Sequence, residues 1–145
     1  MVVVVVMGSE SDRQIAEKAV AVLEEFGVPY EVHVASAHRN PEKVKALAER
    51  EDVEVFIAVA GLSAALPGVI ASHTVRPVIG VPREVKLLGM DALLSIAQLP
   101  PGIPVATVGI DNAKNAAMLA VEILALKDET LRGKLIEYRE RMRSG

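Results

Sequence analysis

Val2-Val3-Val4-Val5-Val6-Met7-Gly8-Ser9-Glu10-Ser11-Asp12 opens the chain with six apolar residues that run straight into small and polar ones. An unbroken β-branched run, without alternation, suits a parallel strand buried on both faces. Gly8 and the serines turn the chain, and Ser11 or Asp12 is placed to cap a helix. Beyond them Ile15, Ala19, Val22, Leu23 and Phe26 fall at helical spacing, and Gly27 ends the run.

The same strand, turn and helix recur along the chain. Tyr30 to Ala35 reads as a second strand, and Asn40-Pro41 as an N-cap with proline at the first helical position. Val44, Leu47 and Ala48 face that helix inward. Val53 to Ala60 is a third strand. A small-residue segment, Ala64 to Ser72, follows it and is interrupted by Pro67-Gly68. Pro77 to Val81 and Pro104 to Val108 read as two more strands, with a helix near Asp91 to Gln98 between them. Asp111 is the expected cap of an alanine-rich helix ending near Leu126. A last helix starts near Asp128 with Leu131, Leu135, Tyr138 and Met142 as its stripe. The pattern predicts one α/β domain over residues 1–145: a three-layer, doubly wound parallel sheet, flavodoxin- or Rossmann-like. Ligands in such sheets bind beyond the carboxyl ends of the strands, so the loops there are the places to look for function.

Composition narrows the classes. Hydrophobic residues make up 51% of the 145, which excludes a disordered chain. Aromatic residues are only 3%, with no Trp, so the core is aliphatic and no stacking platform for single-stranded nucleic acid is available. A net charge of −3 argues against nucleic acid and anionic membranes as partners. Without cysteine there is no disulfide framework, thiolate metal site or cysteine nucleophile, and a cytoplasmic setting is the simple expectation. Met1 to Met7 is too short to span a bilayer and lacks a basic n-region, so neither a membrane span nor a signal peptide is expected.

Three loops carry polar chemistry. In Gly8-Ser9-Glu10-Ser11-Asp12, backbone N–H groups and hydroxyls at a helix start suit an anion, and Asp12 suits ribose hydroxyls. A capping loop with no ligand would use the same residues. In Ser36-Ala37-His38-Arg39, imidazole can give and take a proton beside a guanidinium that binds phosphate in a fork. A surface His with a solvated Arg is the bland alternative. In Ala60 to Gly68, small residues allow close backbone approach to a ligand, or merely tight helix–sheet packing. His33 within a strand and His73 beside Thr74 are weaker candidates. No metal-ligand spacing and no G-x-S-x-G elbow is present, so no metal site and no serine triad are expected. Arg139, Arg141 and Arg143 lie among Glu137 and Glu140, as on a solvated face or a subunit contact.

Met7 to Asp12, Ser36 to Arg39, Leu66-Pro67-Gly68, Leu99 to Val108 and Asn115-Ala116-Ala117 follow successive strands in that order. Together they resemble the PurE family, the 5-(carboxyamino)imidazole ribonucleotide mutases (class I type) of purine biosynthesis. The resemblance runs from Val2 to about Met142. It implies a mutase, an isomerase acting on an aminoimidazole ribonucleotide. The carboxylate moves from the exocyclic amine to ring carbon 4 through trapped carbon dioxide, with no metal or organic cofactor. By the same resemblance His38 shuttles protons and Ser36 frames the carboxylate. Ser9 and Arg39 hold the phosphate beside Gly8 and Ser11, and Asp12 holds the ribose. Gly61 and the segment Ala64 to Gly68, with Ala65, Leu66 and Pro67, wall the carbon dioxide pocket. The family also implies a homo-oligomer, a dihedral octamer, with the last helix reaching a neighbouring subunit. The alanine-rich helix, apolar on more than one face, points the same way.

Two departures stand out. The family usually reads Ala-Ala-His-Leu-Pro-Gly where this chain reads Ala64-Ala65-Leu66-Pro67-Gly68, and alanine can neither donate a hydrogen bond nor carry a proton. Arg83 replaces an expected small apolar residue, and Leu88 an expected polar or small one. Apolar residues gathered on a loop suggest a contact surface. Three readings stay open: the mutase, a carboxylase using free carbon dioxide, and an impaired or engineered variant kept as an oligomeric scaffold. Leu66-Pro67-Gly68 favours the mutase over the carboxylase.

Overall fold

The computed structural model describes residues 1–145. Five strands, β1 (Val2–Met7), β2 (Tyr30–Val34), β3 (Val53–Ala60), β4 (Val78–Pro82) and β5 (Ala106–Thr107), form one sheet in the order β2-β1-β3-β4-β5. Every pairing is parallel. The helices between them are α1 (Arg13–Glu25), α2 (Pro41–Ala48), α3 (Leu66–Ser72), α4 (Met90–Ala97) and α5 (Ala113–Ala125), and α6 (Glu129–Ser144) ends the chain.

The valine run works as two faces of one strand. Val3, Val5 and Met7 point to a core shared with Val55, Ile57, Val59, Ile79 and Val81 and with α1, α5 and α6. Val4 and Val6 point to the opposite core, with Phe56, Ala58, Val78 and α2, α3 and α4. Val3 to Val6 are all at 0% exposure. Burying each such side chain is worth roughly 1.5–3 kcal/mol over leaving it in water, and helices on both faces are what permit it.

Several local expectations are corrected. Ser9 caps a short 3-10 turn, Glu10–Asp12, that leads into α1: its side chain accepts from the Ser11 N–H, and Asp12 accepts from the Ser9 N–H. Asp12 holds the N-cap position of α1 as expected, but its side chain makes no capping hydrogen bond to that helix. Asn40 precedes α2 as expected, but its Oδ1 reaches back to the Ser36 N–H at 2.7 Å. Pro67 does not interrupt a helix. It lies in the first turn of α3, where its missing N–H has no helical partner to lose. Asn112, not Asp111, caps α5, and the Asp111 carboxylate instead accepts from the Glu84 N–H at 3.0 Å. β5 is shorter than its sequence suggests. It sits at the sheet edge, pairs only through Ala106 and Thr107, and begins after a proline that has no N–H to give.

The apolar breadth of α5 is largely satisfied within the chain. Ala116, Ala117, Ala120 and Val121 are fully buried, and α1 and α6 pack across the rest. α6 folds back rather than standing away over its first half. Leu131 and Leu135 are buried, Tyr138 stacks at a tilt on Phe26 at 5.6 Å, and the Lys134 ammonium donates to the Phe26 carbonyl at 3.3 Å. Met142, the last residue of the expected stripe, is 63% exposed. No helix is long and apolar enough to cross a membrane.

Candidate functional site

The strand order reverses between β1 and β3, and a crevice opens there beyond the carboxyl ends of the strands. It holds a cavity of about 210 Å³ built from the turns after β1, β2, β3 and β4. The Gly8 N–H donates to the Val59 carbonyl at 3.2 Å and the Ala35 N–H to the Met7 carbonyl at 2.9 Å, so all three turns next to β1 leave the sheet at one level.

The turn after β1 is held by its own side chains. Ser9 Oγ accepts from the Ser11 N–H at 3.3 Å and from the Ser11 hydroxyl at 3.1 Å. Asp12 Oδ2 accepts from the Ser9 N–H at 3.1 Å. After β2, Ser36 Oγ accepts from the Arg39 N–H at 3.1 Å, and the Arg39 guanidinium reaches across to the Gly8 carbonyl at 3.1 Å. That contact ties the two loops together over the cavity. His38 lines the cavity and is exposed to solvent. Gly61 forms the floor from the end of β3. A Cβ there would meet Val85 Cγ2 at 2.6 Å, so a larger residue fits only if Val85 moves aside.

The cavity therefore brings together Gly8, Ser9, Ser11, Asp12, Ser36, His38, Arg39, Gly61 and Leu66 of the residues expected from sequence. It does not bring in Ala65 or Pro67. Ala65 is half-buried at the head of α3, and Pro67 is buried, facing Gly80 of β4. His33 lies on edge strand β2, 3.4 Å from Glu31, and His73 closes α3, away from the cavity. No group of three or more His, Cys, Asp or Glu is placed to hold a metal ion.

Arg83 joins the cavity with no sequence motif to mark it. It follows β4 directly and lines the cavity, with Nη1 3.1 Å from Asp12 Oδ1 and 3.4 Å from Ser11 Oγ. The signal that could have found it is its place immediately beyond a strand end. Burial pushes the Asp12 carboxyl up from its ordinary range, while the Arg83 guanidinium and the backbone amides of Ser9 and Gly8 draw it down without cancelling that effect.

The sequence profile of the AIR carboxylase family matches residues 2–145. The chain belongs to that family. It is 65% identical to the N5-carboxyaminoimidazole ribonucleotide mutase of Methanocaldococcus jannaschii over 139 residues, covering 96% of this chain and 88% of the relative. It is 55% identical to the mutase of the same name from Pyrococcus abyssi, covering 96% and 82%. The crystal structure of Treponema denticola PurE superposes with a TM-score of 0.90 at 31% identity, over 99% of this chain and 92% of that one. The family expected from the ordered motifs is thus the family found, and its AIR carboxylase fold carries the crevice described above.

Proposed function

We propose that this chain is an N5-carboxyaminoimidazole ribonucleotide mutase. One observation carries the reading: a single cavity gathers an anion-binding turn, a ribose-competent carboxylate and a histidine beside an arginine. The names of the relatives support it. Ser9 and Arg39 take the phosphate, with the Gly8 and Ser11 backbone beside it, and Asp12 takes the ribose hydroxyls. Ser36 frames the carboxylate.

His38 gives a proton to the carbamate nitrogen as its bond to the carboxyl carbon breaks and carbon dioxide is released. Ring carbon 4, made electron-rich by the freed amine, attacks the carbon dioxide and forms the new carbon–carbon bond. The proton on carbon 4 returns to His38, so the histidine ends as it began. Gly61, Leu66 and Val85 supply an apolar wall that keeps water from the intermediate. Ala65 lies at the head of α3, between Ser63 and Leu66 of the cavity lining but not itself among the lining residues.

Residues 1–145 act as one domain within a dihedral octamer. The exposed Leu62 of the cavity lining, the exposed Leu87 and Leu88 after β4, and the last turns of α6 beyond Tyr138 are the surfaces that meet neighbours.

An ultraviolet assay of product formation from the carbamate tests the reading. Turnover in the unmodified chain supports the mutase. His38→Asn is expected to lower kcat by about 10²–10⁴-fold, with ribonucleotide affinity retained. Normal turnover in that variant removes His38 from the role. Carboxylation of free aminoimidazole ribonucleotide, without action on the carbamate, favours the carboxylase instead. Turnover seen only after Ala65→His identifies an impaired variant.

A further inference from the structure

Arg83 is a cation in the crevice that the family resemblance leaves without a task. Its N–H donates to the Ala60 carbonyl at 3.0 Å, which pins its backbone where β3 and β4 end side by side. Its side chain then crosses above Gly61 toward the β1 turn. A Cβ on Gly61 would lie 3.4 Å from Arg83 Cβ, so the crossing uses space that a side chain there would fill. The Arg83 side chain is 28% exposed and that of Asp12 only 6%.

A carboxylate this enclosed is costly to keep ionised unless it is paired and hydrogen-bonded. Asp12 has both. Oδ1 accepts from Arg83 and Oδ2 from the Ser9 N–H, each at 3.1 Å. Two donors from two different loops fix the plane of the carboxylate. Each oxygen keeps a lone pair, and the carboxylate lines the cavity.

We propose that Arg83 is a positioning residue for the ribonucleotide: it holds Asp12 as an oriented, ionised acceptor for the ribose hydroxyls and does not itself contact the phosphate. The inference rests on the assignment of Asp12 to the ribose made above. It predicts that Arg83 acts on binding, through Asp12, and leaves the proton transfers of His38 alone. Lysine serves only in part, because an ammonium lacks the planar fork that fits a carboxylate.

The test is a double-mutant cycle read by calorimetric binding of aminoimidazole ribonucleotide to the unmodified chain, Arg83→Met, Asp12→Asn and the double variant. Arg83→Met is expected to weaken binding by about tenfold or more, the loss typical of a hydrogen bond to a charged group. With the carbamate substrate its KM rises while kcat stays within about twofold, and Arg83→Lys recovers part of the affinity. In the Asp12→Asn background, removing Arg83 produces no further loss. Additive losses overturn the proposal, because Arg83 would then touch the ligand itself. Unchanged affinity in Arg83→Met also overturns it, and so does an equal weakening of inorganic phosphate binding. Thermal unfolding accompanies each variant, and Arg83→Gln carries the same cycle if Arg83→Met does not fold. Absence of ribonucleotide binding in the unmodified chain overturns the functional reading as well, whereas a defect confined to the cycle overturns only the role of Arg83.

Discussion

Asp12 answers two demands at once. The proposed function asks for an ionised carboxylate at the edge of a cavity, and packing encloses that carboxylate almost completely. Burial raises its pKa, and Arg83 moderates the rise without removing it. The folded chain therefore holds the Asp12 proton more tightly than the unfolded chain does. Such a group contributes stability below the unfolded value, about 3.9, and loses it as pH rises through the higher folded value. Asp12→Asn has no such titration. Urea unfolding of both proteins from pH 3.5 to 7 is expected to show the unmodified chain losing ground to the variant as pH rises. Parallel pH profiles would refute this account of Asp12. The sequence marks Asp12 as a candidate ribose acceptor. It does not mark its partner, because Arg83 lies 71 positions away and the two meet only when β4 is laid beside β3.

At the scale of elements, close approach decides what each position tolerates. Gly80 lies in the middle of β4, where an added Cβ would overlap Ile96 of α4 and sit 3.1 Å from Val105 and 3.3 Å from Pro67. Gly80→Ala is expected to destabilise the fold by about 1–3 kcal/mol, the usual range for overpacking, as read from denaturant midpoints. Edge strand β2 depends on a different device. Arg50, between α2 and β3, binds Glu31 of β2 at 3.2 Å and Asp52 at 2.7 Å. Its hydrogen bonds hold both carboxyls below their ordinary values. Depressed carboxylates contribute stability above the unfolded value, about 4, and lose it as pH falls through the folded one. Arg50→Gln is thus expected to lower Tm at pH 7, by an amount that shrinks on acidification and in high salt. A Tm difference indifferent to pH and salt would count against the pairing. Strand identities here followed from apolar runs, but caps did not. Asn112 won over Asp111, and Asp12 stands at the N-cap of α1 without bonding to it through its side chain, because backbone geometry, not residue type, decides which oxygen reaches which N–H.

For the whole molecule, one run of exposed apolar residues follows β4. Leu87 and Leu88 are 74% and 78% exposed, and Met90 and Leu94 follow on α4. Both leucines also take left-handed backbone, at φ of 48° and 59°, which ordinary side chains adopt only at a cost. The subunit contact proposed above would offset that cost by burying them. Leu88→Asp, which places a charge on that surface, is expected to shift light scattering from the mass of the proposed octamer toward smaller species. An unchanged mass would place the subunit contacts elsewhere. The alanine-rich α5 had suggested subunit burial too. The chain itself covers most of it, since α1 and α6 fold against faces that a helical wheel leaves blank.

The sequence by itself determined the alternation of strands and helices and the parallel sheet, and it marked the turns after the first three strands as candidates for chemistry. Those properties follow from local patterns: unbroken apolar runs, helical periodicity, and small or polar residues at strand ends. Only the tertiary structure decided which of those residues share one cavity. It left Ala65 and Pro67 outside and brought Arg83 in. The reason is geometric. A parallel sheet places side by side the ends of strands that lie far apart in sequence, and no local pattern records which side chain crosses to which neighbour.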